Sequence, residues 1–173
     1  RYELTDTGVS PRVYPGTPGG THVENSDEHN EAGFSEEGAA MRTRMVDKRF
    51  RKEALIAQDM PVPELVGDKR ADLSLISWGS TKGVIRETMA VLAGQGIKVN
   101  HLHIASISPF PAEQVKAVFK KAKKVAVVEG NKTAQFAGWM REQTGLNPDY
   151  KILKYDGRPF FCEELVETIK NLK

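Results

Sequence analysis

From Asp72 onward, short apolar runs alternate with amphipathic stretches, and their two periods separate strands from helices. "ADLSLISWG" is an apolar run that ends at Gly79 and predicts a strand. Residues 82 to 95 follow with Ile85, Met89 and Leu92 on one face, the spacing of a helix packed on a sheet. "IKVNHLHIASI" predicts the next strand, and Pro109 and Pro111 bracket the turn after it. Val115, Val118, Phe119 and Ala122 then mark a second helix. "KKVAVVEG" sets a continuous apolar run between charges, the look of a central parallel strand buried on both faces. A helix carrying Phe136, Trp139 and Met140, a strand "YKILKYD" and a closing helix with Leu165, Ile169 and Leu172 complete the series.

Such alternation implies an α/β fold of three layers, α/β/α, around a mostly parallel sheet with right-handed crossovers. In sheets of this kind a ligand crevice lies at the carboxyl ends of the strands. Here those ends are "WGST" (78–81), "SISPFP" (106–111), "EGNKTAQ" (129–135) and "YDGRPF" (155–160).

The amino-terminal part reads differently. Residues 1–37 are rich in Gly, Pro and Thr, acids outnumber bases eight to two, and "SPRVYPGTPGG" supplies repeated turn formers, which predicts an extended arm. Residues 38 to about 57 predict a helix with Met41, Met45, Val46 and Phe50 at helical spacing and basic residues on its other faces. "QDMPVPELVG" follows as a linker, because residues before proline disfavour helix. The expected organisation is therefore arm 1–37, basic helix and linker 38–70, and α/β domain 71–173.

Composition narrows the function classes. An apolar share of 39% beside 28% charged residues suits a globular protein, and a net charge of +2 favours neither nucleic acid nor a membrane surface as partner. No apolar run approaches the roughly 20 residues of a membrane span, and "RYELTDTG" lacks the order of a secretory signal, so the expected location is cytoplasmic. Cys162 is the single cysteine, which leaves no disulfide framework, thiolate zinc site or iron–sulfur cluster held by this chain alone. The start at Arg1, without methionine, suggests a piece of a longer polypeptide.

Complete catalytic motifs are missing. Neither G-x-G-x-x-G nor the G-x-x-x-x-G-K-[ST] loop occurs, nor G-x-S-x-G or H-E-x-x-H. In "WGSTKG", Gly79, Ser80 and Thr81 stand between a strand and a helix, where backbone amides can hold an anion or the hydroxyls can cap the helix. "HLH" puts His101 and His103 on one sheet face without a nearby carboxylate, which favours structural histidines over metal ligands. "SDEHNEAG" (26–33) allows three readings. Asp27, Glu28 and His29, with Glu31 and His22, could ligate a metal, but consecutive residues of an extended loop point to opposite sides. A solvated acidic loop is the plain alternative, and an ordered loop reaching a neighbouring domain or subunit is the third. "KRFRK" (48–52) reads as a solvated helix face, within reach of a charge match to the acidic segment.

Taken in order, "RYELTDTGVSPRVYPGTPGG", "SDEHNEAG", the basic helix, "ADLSLISWGSTKGVIRE", "VNHLHIASISPFP", "KKVAVVEGNKTAQFAGWMR" and "ILKYDGRPF" resemble the carboxyl-terminal part of the alpha subunit of 2-oxoacid:ferredoxin oxidoreductases, such as the pyruvate and 2-oxoglutarate enzymes. The second half is also similar to the transketolase carboxyl-terminal domain, which implies a sheet of that type. The resemblance implies a complex that converts a 2-oxoacid, coenzyme A and oxidised ferredoxin to acyl-CoA, carbon dioxide and reduced ferredoxin. Thiamine diphosphate, Mg2+ and iron–sulfur clusters would serve the complete enzyme, with none bound by this chain alone. The implied partners are a thiamine-diphosphate-binding beta subunit, the amino-terminal part of the alpha subunit, and ferredoxin as acceptor, with no nucleic acid and no membrane. The beta subunit's Gly-Asp-Gly motif is absent, and "YDGRP" does not reproduce it. No catalytic residue is therefore expected here. Arg12, Asp27, Glu28 and His29 are expected near the substrate or a subunit interface. The competing reading is a stand-alone small-anion or nucleotide-binding α/β module using Gly79–Thr81 and Glu129–Asn131.

Overall fold

The computed structural model describes residues 1–172, which fall into two compact units, the first Arg1–Met60 and the second beginning at Pro61.

The larger unit is a five-stranded sheet in the order β1-β3-β2-β4-β5. Its strands are β1 (Leu65–Gly67), β2 (Leu73–Trp78), β3 (Val99–Ile104), β4 (Val125–Glu129) and β5 (Tyr150–Leu153). Four are parallel, and β1 joins the edge antiparallel to β3. The helices are α3 (Lys82–Gly94), α4 (Ala112–Lys121), α5 (Gln135–Thr144) and α6 (Cys162–Lys170). Because side chains alternate along a strand, Leu73 and Leu75 face one way and Ile76 the other. The first face packs with Val99, Ala126 and Val128 against Ile85, Leu92, Leu165 and Ile169 of α3 and α6. The second packs Leu102, Ile104 and Val127 against Val115, Val118, Phe136 and Met140 of α4 and α5. These are the three layers and the mostly parallel sheet that the alternating pattern predicts.

One segment departs from expectation. The proline-bearing stretch read as linker supplies β1, which pairs Leu65 with Leu102 and Gly67 with Asn100. Pro61 and Pro63 lie just before it, so the missing N–H groups do not interrupt the ladder. Gly67, at φ +117°, permits this close approach: a Cβ there would lie 2.7 Å from the Val99 carbonyl oxygen.

In the smaller unit the predicted helix forms in two pieces, α1 (Ala39–Arg51) and α2 (Glu53–Asp59), joined at Lys52, whose amide bonds to the Arg49 carbonyl in a tightened turn. Met45 of the predicted apolar face is buried at 1% exposure, whereas Phe50 is 64% exposed. The residues before α1 form an ordered arm. Tyr2 N–H donates to the Glu31 carbonyl and Val23 N–H to the Ala32 carbonyl. Gly33 closes this turn at φ +92°, and a Cβ there would sit 1.8 Å from the Val23 carbonyl oxygen. Gly33→Ala is therefore expected to destabilise this unit by about 2 kcal/mol or more, through steric conflict and an unfavourable φ. Limited proteolysis of the arm measures it; cleavage as slow as in the parent chain would contradict the turn.

Candidate functional site

Two places concentrate chemistry, one in each unit. In the larger unit, β2 leads through α3 to β3 on one side, while β4 leads through α5 to β5 on the other, so the topological switch point lies between β2 and β4. A cavity of about 850 Å³ opens there, lined by Trp78, the Gly79–Thr81 turn, Gly130 and the segment from Lys154 to Phe160. The turn is a single 3₁₀ turn with Gly79 at φ +61°. Helix capping by Ser80 or Thr81 is not what forms. The Thr81 hydroxyl donates back to the Trp78 carbonyl at 2.8 Å, and α3 begins without a side-chain cap.

The cations of this cavity are already paired. Lys154, with a side chain 11% exposed, donates to Glu164 at 2.6 Å, and Arg158 donates to Asp156 at 2.6 and 3.0 Å. The Arg158 guanidinium and amide hold the Asp156 carboxyl down to about 2. Glu129, read as part of a possible nucleotide site, is fully buried and engaged: it accepts from the Phe136 and Ala137 amides at the start of α5 and from the Asn131 side chain. Its role is internal, and sequence spacing gives no sign of it.

The two histidines of β3 share a face, as expected. His101 is buried, its Nε2 lies 2.8 Å from the Ser77 hydroxyl, and its Nδ1 has no hydrogen-bond partner among the described residues. Burial, with Arg86, His103 and Lys82 adding like charge, pushes His101 down to about 3. Its burial favours the neutral ring.

In the smaller unit, "SDEHNEAG" is an ordered turn closed by a bridge between His29 and Ser35. The Glu28 carboxylate is clamped by α1, accepting from Arg42 at 2.7 Å and from both ends of the Arg49 guanidinium at 2.6 and 3.1 Å. Arg49 above all, then Arg42 and the His29 amide, outweigh burial and hold Glu28 down to about 2. The charge match between the acidic segment and "KRFRK" is thus made within the chain. His29 donates from Nδ1 to the Asn30 carbonyl at 2.9 Å and lies against Tyr2, with ring centres 4.2 Å apart. Asp27 is exposed and accepts from the Ser35 hydroxyl. Arg12 is exposed elsewhere on the arm and does not line the pocket beside His29. The structure therefore brings Asp27, Glu28 and His29 together and leaves Arg12 apart. Among the described residues, no three His, Cys, Asp or Glu side chains group as metal donors, and no helix is long and apolar enough to cross a membrane.

Comparison with known proteins bears on both units. Residues 71–153 match the family described as pyruvate:ferredoxin oxidoreductase core domain II. The alpha subunit of 2-oxoacid:ferredoxin oxidoreductase 2 from Aeropyrum pernix is 35% identical over 99% of this chain and 27% of its own length. The chain thus spans about a quarter of the length of this and three further curated alpha subunits that it matches. The 2-oxoglutarate:ferredoxin oxidoreductase from Magnetococcus marinus, solved with 2-oxoglutarate, coenzyme A and succinyl-CoA bound, is 34% identical, covering 98% of this chain and 30% of that one, with a TM-score of 0.78. A split-gene transketolase shares the fold at 13% identity, covering 62% of this chain and 40% of that one, with a TM-score of 0.51.

Proposed function

Because the chain belongs to the alpha-subunit family of 2-oxoacid:ferredoxin oxidoreductases, we propose that it is a non-catalytic carboxyl-terminal domain of such a subunit, serving assembly and supporting the active site. In this reading the complete enzyme joins a 2-oxoacid and coenzyme A, releases carbon dioxide and reduces ferredoxin in the cytoplasm, together with a beta subunit and the rest of the alpha subunit. The observation that carries the proposal is the likeness to alpha subunits along both units, arm included. An isolated α/β binding module has no need of a clamped arm.

Thiamine diphosphate with Mg2+, and an iron–sulfur cluster, are the groups such an enzyme uses. This chain's residues do not fit them. A cluster takes cysteine thiolates in number, and the single Cys162 is buried at the start of α6, accepting a weak bond from the Thr88 hydroxyl at 3.7 Å. The carboxylates at the strand ends are occupied as a helix cap, Glu129, or in ion pairs, Asp156. What the chain contributes is position: Glu28, fixed between Arg42 and Arg49, sets the His29–Tyr2 pair and the exposed Asp27 on a rigid turn. Arg12, Asp27, Glu28 and His29 are proposed to face the substrate region or a subunit boundary.

Purifying the native assembly through this chain is expected to yield a cysteine-rich partner and ferredoxin reduction that requires both a 2-oxoacid and coenzyme A. A free 19.2 kDa polypeptide without that activity would overturn the proposal. A second reading has one observation in its favour, the cavity beside the uncapped start of α3: Gly79, Ser80 and Thr81 would then hold a small anion.

A further inference from the structure

Beside His29, wholly within the smaller unit, lies a pocket of about 330 Å³, at the lower end of small-molecule clefts. Tyr2, Ser10, His29, Lys48, Arg49 and Lys52 contribute to its wall. Its charge is unbalanced. Lys48 is only 6% exposed, yet its ammonium has one described partner, the Tyr2 carbonyl oxygen at 2.7 Å, and no carboxylate within ion-pair distance. Lys52 has no carboxylate partner either among the described residues, and Arg49 is committed to Glu28. Nearby Glu31 accepts the Leu4 amide. Burial and the like charges of Lys52, Arg1 and Arg49 lower Lys48, and Glu31 opposes them only in part.

A buried ammonium is costly unless a counter-charge accompanies it. We propose that the pocket is a binding site for an oxyanion, a phosphate or carboxylate group, which pairs with Lys48 and Lys52 and accepts from Arg49 where its donors are free. The site is distinct from the Gly79 turn, and it rests on neither the oxidoreductase assignment nor any partner. It supplies the missing counter-charge at the place where the sequence-selected His29 stands.

Lysine acetylation read by mass spectrometry tests it on the intact protein or the assembly that carries it. Lys52, half-buried, is the reporter, and Lys116, half-buried as well, is the internal control. Inorganic phosphate at ten times its dissociation constant, at constant ionic strength, is expected to slow Lys52 acetylation about tenfold by mass action and leave Lys116 unchanged. A parallel acetate titration separates the two sources: protection by acetate alone assigns a carboxylate ligand. Lys48→Met keeps the apolar stem and removes the charge, and protection should disappear with it. If that variant fails to fold, protection in the parent protein still decides. No protection by either anion, protection that tracks Lys116, or protection that survives Lys48→Met overturns the proposal.

Discussion

Replacing Glu129 by alanine is expected to lower the stability of the α/β unit by about 3–5 kcal/mol, since it removes a buried carboxylate and leaves the donors bonded to it without an acceptor. Glu129 ends β4, an interior strand between β2 and β5, and is 0% exposed. Its oxygens accept the Phe136 amide at 2.8 Å, the Ala137 amide at 3.1 Å and the Asn131 side chain. The carboxylate thus does the work of the N-cap that α5 lacks, and its charge meets the positive end of the helix dipole. Alanine leaves two buried N–H groups and an amide side chain unpaired and opens a void. Residue Ala134, in the left-handed region at φ +54°, precedes α5, and the Glu129 contacts hold the loop in that otherwise unfavourable shape. Glu129→Gln should cost less, about 1–3 kcal/mol, because one amide oxygen still accepts while the NH2 group faces a donor. Both tryptophans, Trp78 and Trp139, lie in this unit, so their fluorescence during urea unfolding reports it alone. A loss below about 1 kcal/mol for Glu129→Ala would sink the account.

Glu129 also marks where sequence reasoning stops. The apolar run "VAVVE" announces a buried central strand, and the alternation of such runs with periodic helices fixes the sheet class before any coordinate is known. The destination of the glutamate is invisible, because its partners lie seven and eight residues ahead through a loop whose path only tertiary packing sets. Strand β1 escaped for a different reason. Three residues, two of them apolar and the third a glycine, are too few to display a period, and the flanking prolines speak for a linker. In the arm, the opposite charges of "SDEHNEAG" and "KRFRK" were legible as a match. Choosing Arg42 and Arg49 as the pair required the turn of α1 that brings residues seven apart onto one face. Lys48 gave no signal at all, since a lysine in a basic helix reads as solvated until burial is seen.

The Glu28 clamp carries the larger functional expectation. In the proposed complete enzyme, the paired replacement of Glu28 and His29 by alanine should reduce turnover on the order of 10²-fold, the penalty typical of a small misplacement near reacting groups. Its effect on stability should stay modest, because Arg42 and Arg49 are 62% and 42% exposed and return to water when the carboxylate is lost. The acid limb gives an independent reading of the same clamp. Glu28 sits at about 2 in the folded chain against an ordinary 4.5, so its contribution to stability is complete above 4.5 and fades as pH falls towards 2. The full shift corresponds to about 3 kcal/mol, which exposure of the arginines reduces to about 1–2 kcal/mol. Unfolding of the smaller unit between pH 5 and 2, in a range of about that width, should therefore flatten in Glu28→Ala. The two readouts separate two roles. Acid sensitivity that flattens while turnover stays intact would make the clamp purely structural and move the search for the arm's purpose to Arg12. A fall in turnover with little change in stability would place the turn from Asp27 to His29 where substrate or subunit meets it.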